Sequence, residues 1–302
     1  MTPELVVFMA GTLVLRALAE PDTLAMHRLP TAKYVSSNSP APIKKDETTL
    51  GVVVSASAAV VMDAGSGELL YEKDPDEPLP LASLTKLVAA MTYLDTKPDL
   101  HKPISFQTSD NGIGREIVPL DETFTGNDVL QALLVGSANE AANALARTQG
   151  GKQAFVEAMN KKAKAIGMER TVFVDASGED PRNRGTARDV ATALKAAMAY
   201  PEIAAAASKP QVSVKGTKKA YLVKSTNLLI ASDLNRGEYK VVAAKTGTLP
   251  EAGYCFAQAT RDQQGHTIIS VVLGGETHYS RFQDVKAMTY WAFRSYAWPA
   301  RN

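Results

Sequence analysis

Leu81-Ala82-Ser83-Leu84-Thr85-Lys86-Leu87-Val88-Ala89-Ala90-Met91 is the stretch around which the chain is organised. Pro78 and Pro80 break the backbone just before it, and Leu84, Leu87, Val88, Met91 and Leu94 follow at helical spacing. That pattern predicts a helix packed on a core. Ser83 falls in its first turn and Lys86 three residues on. Residues at i and i+3 are neighbours on a helix surface, so the hydroxyl and the amine can touch, and a helix start favours negative charge nearby. A serine with an adjacent base in such a place is a candidate nucleophile. S-x-x-K also arises in helices where the serine caps and the lysine is solvated, so the other parts of the chain have to decide.

The totals set the frame. With 302 residues, 45% of them hydrophobic and 22% charged, the chain has an ordinary globular composition with room for one large domain or two smaller ones. A net charge of +1 gives no electrostatic reason to expect nucleic acid as a partner. The lone cysteine, Cys255, rules out an intramolecular disulfide. His27, His101, His266 and His278 form no metal-ligand spacing with one another, with Cys255 or with a carboxylate, so no metal is expected. No G-x-S-x-G elbow supports a Ser-His-Asp triad.

The apolar run 5–15, followed by Arg16-Ala17-Leu18-Ala19, is too short to span a bilayer and fits a signal-peptide core with a small-residue cleavage site. Residues 1–19 therefore read as a signal peptide or short anchor, which implies export to the periplasm or cell envelope and allows a tethered or peripheral membrane association. Residues 20–50, with Pro21, Pro30, Pro40, Pro42 and the run Ser36-Ser37-Asn38-Ser39, read as a linker, leaving 51–302 as the folded domain.

Within that domain, residues 58–62 and 68–71 flank Asp63-Ala64-Gly65-Ser66-Gly67 as a β-hairpin. The middle is helical: a helix capped at Gly126-Asn127-Asp128, another over 140–146, an amphipathic one over 153–166 with Lys161, Lys162 and Lys164 on a solvated face, and a capping box at Thr186-Ala187-Arg188-Asp189. A hairpin across Lys215-Gly216, strands at 239–246, 253–260 and 267–274 joined by short turns, and a helix over 281–296 with Trp291 and Phe293 buried complete the chain. Strands first and last with helices between give an α+β fold. One antiparallel sheet is completed by both ends of the chain and flanked by helices, and an inserted helical lobe leaves a cleft of the kind ligands favour.

Two further stretches raise the catalytic reading of Ser83. Gly136-Ser137-Ala138-Asn139 lies at a break between helices, and Lys245-Thr246-Gly247-Thr248 ends an apolar strand. Each alone is weak, an N-cap and a strand-ending turn. The ordered set S-x-x-K, S-x-N and K-T-G is far more specific, being close to the set of penicillin-binding proteins and class A β-lactamases.

The sequence resembles the low-molecular-weight penicillin-binding proteins, serine D-Ala-D-Ala carboxypeptidases and endopeptidases (peptidase family S11), from about Ala58 to Trp298. The likeness extends to Ser137-Ala138-Asn139-Glu140-Ala141-Ala142, Thr186-Ala187-Arg188-Asp189-Val190-Ala191, Ser225-Thr226-Asn227-Leu228-Leu229 and Ala252-Gly253-Tyr254-Cys255. It implies a DD-peptidase/β-lactamase-like fold and acyl transfer from a D-alanyl amide to water through an ester on Ser83, without a cofactor. Peptidoglycan stem peptides would be the substrates and β-lactams covalent inhibitors.

By that resemblance Lys86 is the base, its amine kept neutral by desolvation and by the nearby Lys245 cation. Ser137 relays a proton to the leaving amine. The backbone amides of Ser83 and Thr248 hold the oxyanion. Asn139 bonds the substrate's acylamide and the neighbouring lysine, while Lys245, Thr246 and Thr248 anchor its carboxylate. Gly247 leaves the strand bare where the acyl-enzyme lies against it.

Cleavage of cross-links is expected over removal of a terminal D-Ala. The chain stops soon after its final helix, whereas many family carboxypeptidases add a β domain, and it has Thr267 where they tend to carry an arginine. Two rivals are defined by the same residues. A class A-like β-lactamase would use Glu179, which has E-x-x-x-N spacing to Asn183. The flanking peptidase-type segment makes that loop a polar surface segment instead. A non-catalytic β-lactam or muropeptide sensor would not need every catalytic side chain present.

Overall fold

The computed structural model describes residues 39–299. The expected signal segment, 1–19, and the expected linker up to residue 38 lie outside the described residues. From residue 39 onward the linker stretch contains ordered pairing. Ile43–Lys44 pairs antiparallel with Tyr296–Ala297, and Trp291 Nε1 donates to Leu50 O at 2.8 Å.

The central sheet is antiparallel and five-stranded: β1 (Ala58–Asp63), β2 (Leu69–Lys73), β3 (Tyr239–Leu249), β4 (Gly253–Asp262) and β5 (Thr267–Gly275), in the order β3-β4-β5-β1-β2. Both ends of the chain build it, as their short turns and apolar patterns predict. β1 is buried at every position because both of its faces are covered. Ala58, Val60 and Met62 join the core that includes the helical lobe, while Ala59 and Val61 join a second core under the C-terminal helix.

The described residues include seven α-helices: α1 (Lys86–Asp95), α2 (Gly126–Gln131), α3 (Asn139–Thr148), α4 (Lys152–Ala165), α5 (Ala187–Ala197), α6 (Pro201–Ala207) and α7 (Ser280–Ser295). α5 packs on β1, β4 and β5, and α7 packs on β4 and β5. α1 is the hub of the inserted lobe, with α3, α4 and α5 against it. Its residues from Lys86 to Tyr93 are all buried, which the all-round apolar character of Leu87-Val88-Ala89-Ala90-Met91 explains. Local signals set the ends. Thr125 Oγ1 accepts from Asp128 N at 3.2 Å at the start of α2, and Thr186 Oγ1 accepts from Asp189 N at 3.0 Å at the start of α5.

Three details differ from expectation. Ser83 lies in a 3-10 turn, Ala82–Thr85, that precedes α1 and not in the helix itself. Ala82 has φ +47°, a value that breaks α-helical continuity. Lys162 is not on a solvated face: its Nζ reaches Asp95 Oδ2 at 2.9 Å and Tyr200 OH at 2.6 Å. Trp291 is half-buried, its indole N–H turned to Leu50, whereas Phe293 is buried.

Candidate active site

The fold gathers the three motifs at the edge strand β3. Ser83, Ser137, Asn139, Thr246, Gly247 and Thr248 line one cleft of about 420 Å³. In a 3-10 turn side chains at i and i+3 eclipse, and Lys86 Nζ lies 2.8 Å from Ser83 Oγ. Asn183, fully buried, braces this turn: its carbonyl accepts from Leu81 N at 2.9 Å and its Nδ2 donates to Thr85 Oγ1 at 3.1 Å.

Ser137 is presented by a different device. A π-helical turn, Ala132–Gly136, interrupts the α2–α3 connection, and Ser137 then takes φ +63°. π-turns often mark functional positions, and a left-handed non-glycine residue costs about 1 kcal/mol or more. The result is a contact of 2.7 Å from Lys245 Nζ to Ser137 Oγ, with Thr246 O also accepting from Lys245 Nζ at 2.8 Å.

Lys86 has 0% exposure and two acceptors besides the serine: Asn139 Oδ1 at 2.6 Å and Ser177 O at 2.5 Å. A neutral amine has two N–H groups and one lone pair. Donating to the two carbonyl oxygens would leave the lone pair facing the Ser83 hydroxyl, the geometry a base needs. Burial lowers the Lys86 pKa to about 8, against the opposing pull of Glu179, Asp175 and Glu140. Burial also drives Lys245 well down, and there the positive charges of Lys86 and Arg281 add to the effect. The two lysines repel each other, as expected, and Lys86 in addition has acidic neighbours, whereas Lys245 has Arg281 as a second cation.

Gly247 lines the cleft and also abuts the turn that carries the serine. A β-carbon there would stand 2.9 Å from Leu81 O and 3.2 Å from Ser83 N. This close approach sets the Gly247 backbone against Ser83 N. On the other side of the turn Gly178 has φ +84°, and a β-carbon would fall 2.0 Å from Ala82 O. Gly178→Ala is accordingly expected to displace the turn, lowering the melting temperature by several degrees and penicillin acylation by about a hundredfold. Thermal unfolding and acylation rates on the purified variant check this.

Asn139 meets the lysine as expected, but both of its amide N–H groups are engaged within the protein. Nδ2 donates to Ile113 O at 2.9 Å and to Glu179 Oε1 at 3.0 Å. A substrate acylamide could bond it only by exchanging with one of these. Glu179 is thus not on a detached polar surface loop. Asn183, which shares the E-x-x-x-N spacing of the rival β-lactamase reading, bonds elsewhere, with Oδ1 accepting from Val174 N and Asp175 N.

Sequence reasoning also missed Arg281. It is 3% exposed and enters from the first turn of α7. Its Nη1 donates to Gly247 O and to Thr248 Oγ1, each at 3.0 Å. Desolvation lowers its pKa to about 10. A lone arginine near a helix start carries no local signal, and only the fold brings it to β3. Thr226 likewise meets Thr246, Oγ1 to Oγ1, at 2.6 Å.

A family model described as D-alanyl-D-alanine carboxypeptidase, peptidase S11, matches residues 44–277. The chain belongs to this peptidase family. Among S11 relatives, the D-alanyl-D-alanine endopeptidase of Pseudomonas aeruginosa is 33% identical over 84% of this chain and 82% of its own length. D-alanyl-D-alanine carboxypeptidase DacC of Escherichia coli is 30% identical over 84% of this chain and 65% of its own length. Among solved structures, penicillin-binding protein D2 of Listeria monocytogenes in a cefotaxime-bound form superposes with a TM-score of 0.72 at 30% identity, covering 81% of this chain and all of that one.

The protein is therefore a serine-type DD-peptidase with the α+β fold expected of the S11 family. Its geometry removes one argument drawn from the sequence. Thr267 opens β5 opposite Arg261, at the end of the sheet away from Tyr254 and the cleft, and Arg261 Nε donates to its hydroxyl at 3.1 Å. The cleft has an arginine after all, Arg281, so Thr267 says nothing about which S11 activity is preferred.

Proposed function

We propose that this S11 peptidase hydrolyses D-alanyl peptide bonds of peptidoglycan stem peptides through an acyl ester on Ser83, with Lys86 as base. The observation that carries the reading is the buried Lys86 amine, whose two carbonyl acceptors leave its lone pair for the Ser83 hydroxyl.

Ser83 Oγ attacks the D-alanyl carbonyl carbon and passes its proton to Lys86 Nζ. The oxyanion that forms is held by the amides of Ser83 and Thr248, a pair of donors of the kind whose individual loss costs about 3–4 kcal/mol. As the C–N bond breaks, the proton moves to the leaving amine by way of Ser137, which Lys245 contacts at 2.7 Å. Water then attacks the ester, returning the acid product and the free serine. Thr246, Thr248 and Lys245, with Arg281 behind Thr248, present a cationic, hydroxyl-rich end of the cleft suited to the carboxylate of the leaving residue. The unpaired edge of β3 offers main-chain groups along which a peptide can lie.

β-Lactams carry an amide and a carboxylate in the same relation, so they would acylate Ser83. The β-lactam-bound relative supports this. Peptidoglycan lies outside the cytoplasm, which supports a location of this chain in the cell envelope. Among the described residues no helix is long and apolar enough to cross a membrane.

Cleavage of cross-links is the preferred activity, supported by the relative named endopeptidase at 33% identity. Digestion of purified cross-linked and uncross-linked muropeptides tests it. Dimers should disappear without release of D-Ala. Free D-Ala from monomers, with dimers intact, would make the enzyme a carboxypeptidase.

A further inference from the structure

Glu179 touches two of the three partners of the Lys86 amine. Its Oε1 accepts from Asn139 Nδ2 at 3.0 Å, and Asn139 Oδ1 in turn accepts from Lys86 Nζ at 2.6 Å. Its Oε2 accepts from Ser177 Oγ at 2.7 Å, and Ser177 O accepts from Lys86 Nζ at 2.5 Å. The same carboxylate accepts from Ile113 N, on a loop that lines the cleft. Ile113 is 75% exposed, and its main chain is tied on both sides, by Glu179 at N and by Asn139 at O.

We propose that Glu179 is a positioning residue that orients the Asn139 amide and the Ile113 loop around Lys86 and sets a fixed negative charge against that amine. The inference rests on the reading of Lys86 as base. An amide can rotate by half a turn, and which end faces the lysine is decided by what holds the other end. A carboxylate accepts only, so Glu179, together with the Ile113 carbonyl, makes Asn139 present its N–H groups to them and its oxygen to Lys86.

Other charges face the amine too. Asp175, from the same loop, is occupied by the N–H groups of Ser177, Gly178 and Asp180. Glu140, from α3, is occupied by those of Ile117 and Val118. Lys245 approaches from β3. Only Glu179 bonds the lysine's own partners from the side chain on both routes. Its charge opposes the desolvation of Lys86, whose pKa is lowered to about 8.

The sign of the effect follows. A negative neighbour favours protonated lysine, so Glu179→Gln should lower the Lys86 pKa further. More amine is then neutral at acid pH, and the neutral amine is a weaker base. Penicillin acylation by the full chain, measured from pH 5 to 10, is the test. In Glu179→Gln the rate at pH 6 should rise about threefold to tenfold relative to its own plateau, and the plateau should fall below that of the parent. Glu179→Ala should also slow the plateau, about tenfold, because the Asn139 amide is released. Melting curves of both variants establish that they are folded. A Glu179→Gln profile superimposable on the parent's overturns the proposal. A parent profile with no acid limb overturns the Lys86 reading and this proposal together, so the two failures are distinct. A loss confined to the lifetime of the penicillin adduct, with acylation unchanged, would make Glu179 a hydrolytic group and also overturns it.

Discussion

Ser83→Ala is expected to lower cleavage of D-alanyl peptide substrates by at least about a thousandfold while leaving the melting temperature nearly unchanged. The size of the effect comes from chemistry. Without the hydroxyl there is no covalent intermediate, and what is left is the rate of a water positioned by the same cleft. The small structural effect comes from packing. Ser83 is half-buried at the mouth of the cleft, and the turn that carries it is braced by Asn183, Gly178 and Gly247, none of which depends on the hydroxyl. Steady-state kinetics on a D-Ala-D-Ala peptide, beside a thermal melt, check both halves. Residual activity within tenfold of the parent would mean that another group attacks the substrate.

Lys86→Met should reduce acylation by about two to four orders of magnitude, the range for loss of a positioned general base. The parent enzyme supplies a companion result. With the amine at about 8, acylation should climb about tenfold per pH unit below that value and level off above it, as the neutral fraction does. The variant should lose that slope. The methionine fills a similar volume but leaves Asn139 Oδ1 and Ser177 O without their donor, at about 1–3 kcal/mol for each buried acceptor. Removing a charge that burial disfavours offsets part of this. Stopped-flow acylation across pH 5–10 measures the slope. A Lys86→Met enzyme that keeps the parent's profile would assign the base to Lys245, whose pKa burial and neighbouring cations also depress.

Legibility in the sequence followed the range over which each signal acts. The hairpin at Asp63–Gly67, the cap at Thr186 and the late strands are local patterns, and they are where turn residues and apolar alternation place them; the α2 cap falls on Thr125, just before the expected Gly126-Asn127-Asp128. The three motifs could be joined in order because each is a short contiguous word. Asn139 and Lys86 were expected to meet, and they do, at 2.6 Å.

What the sequence hid is what three dimensions decide. The backbone break at Ala82 depends on Gly178 and Gly247 pressing the turn from two sides. The sign of the charge field on Lys86 depends on Glu179, Asp175 and Glu140 converging from separate segments. Arg281 reaches Thr248 from the start of a helix whose pattern says only that it packs. The spacing of Glu179 to Asn183 matches the loop of the rival β-lactamase reading, but the two side chains point into different networks. In an irregular loop, separation in sequence does not fix direction.

The central claim is that Ser83 forms the acyl-enzyme. Its most direct test is the mass of the intact protein after incubation with penicillin, followed by peptide mapping of the adduct. One penicilloyl group on the peptide containing Ser83, absent from Ser83→Ala treated in parallel, is the predicted result. The same mass gain on Ser83→Ala, or an adduct mapped to any other residue of the parent, would contradict it.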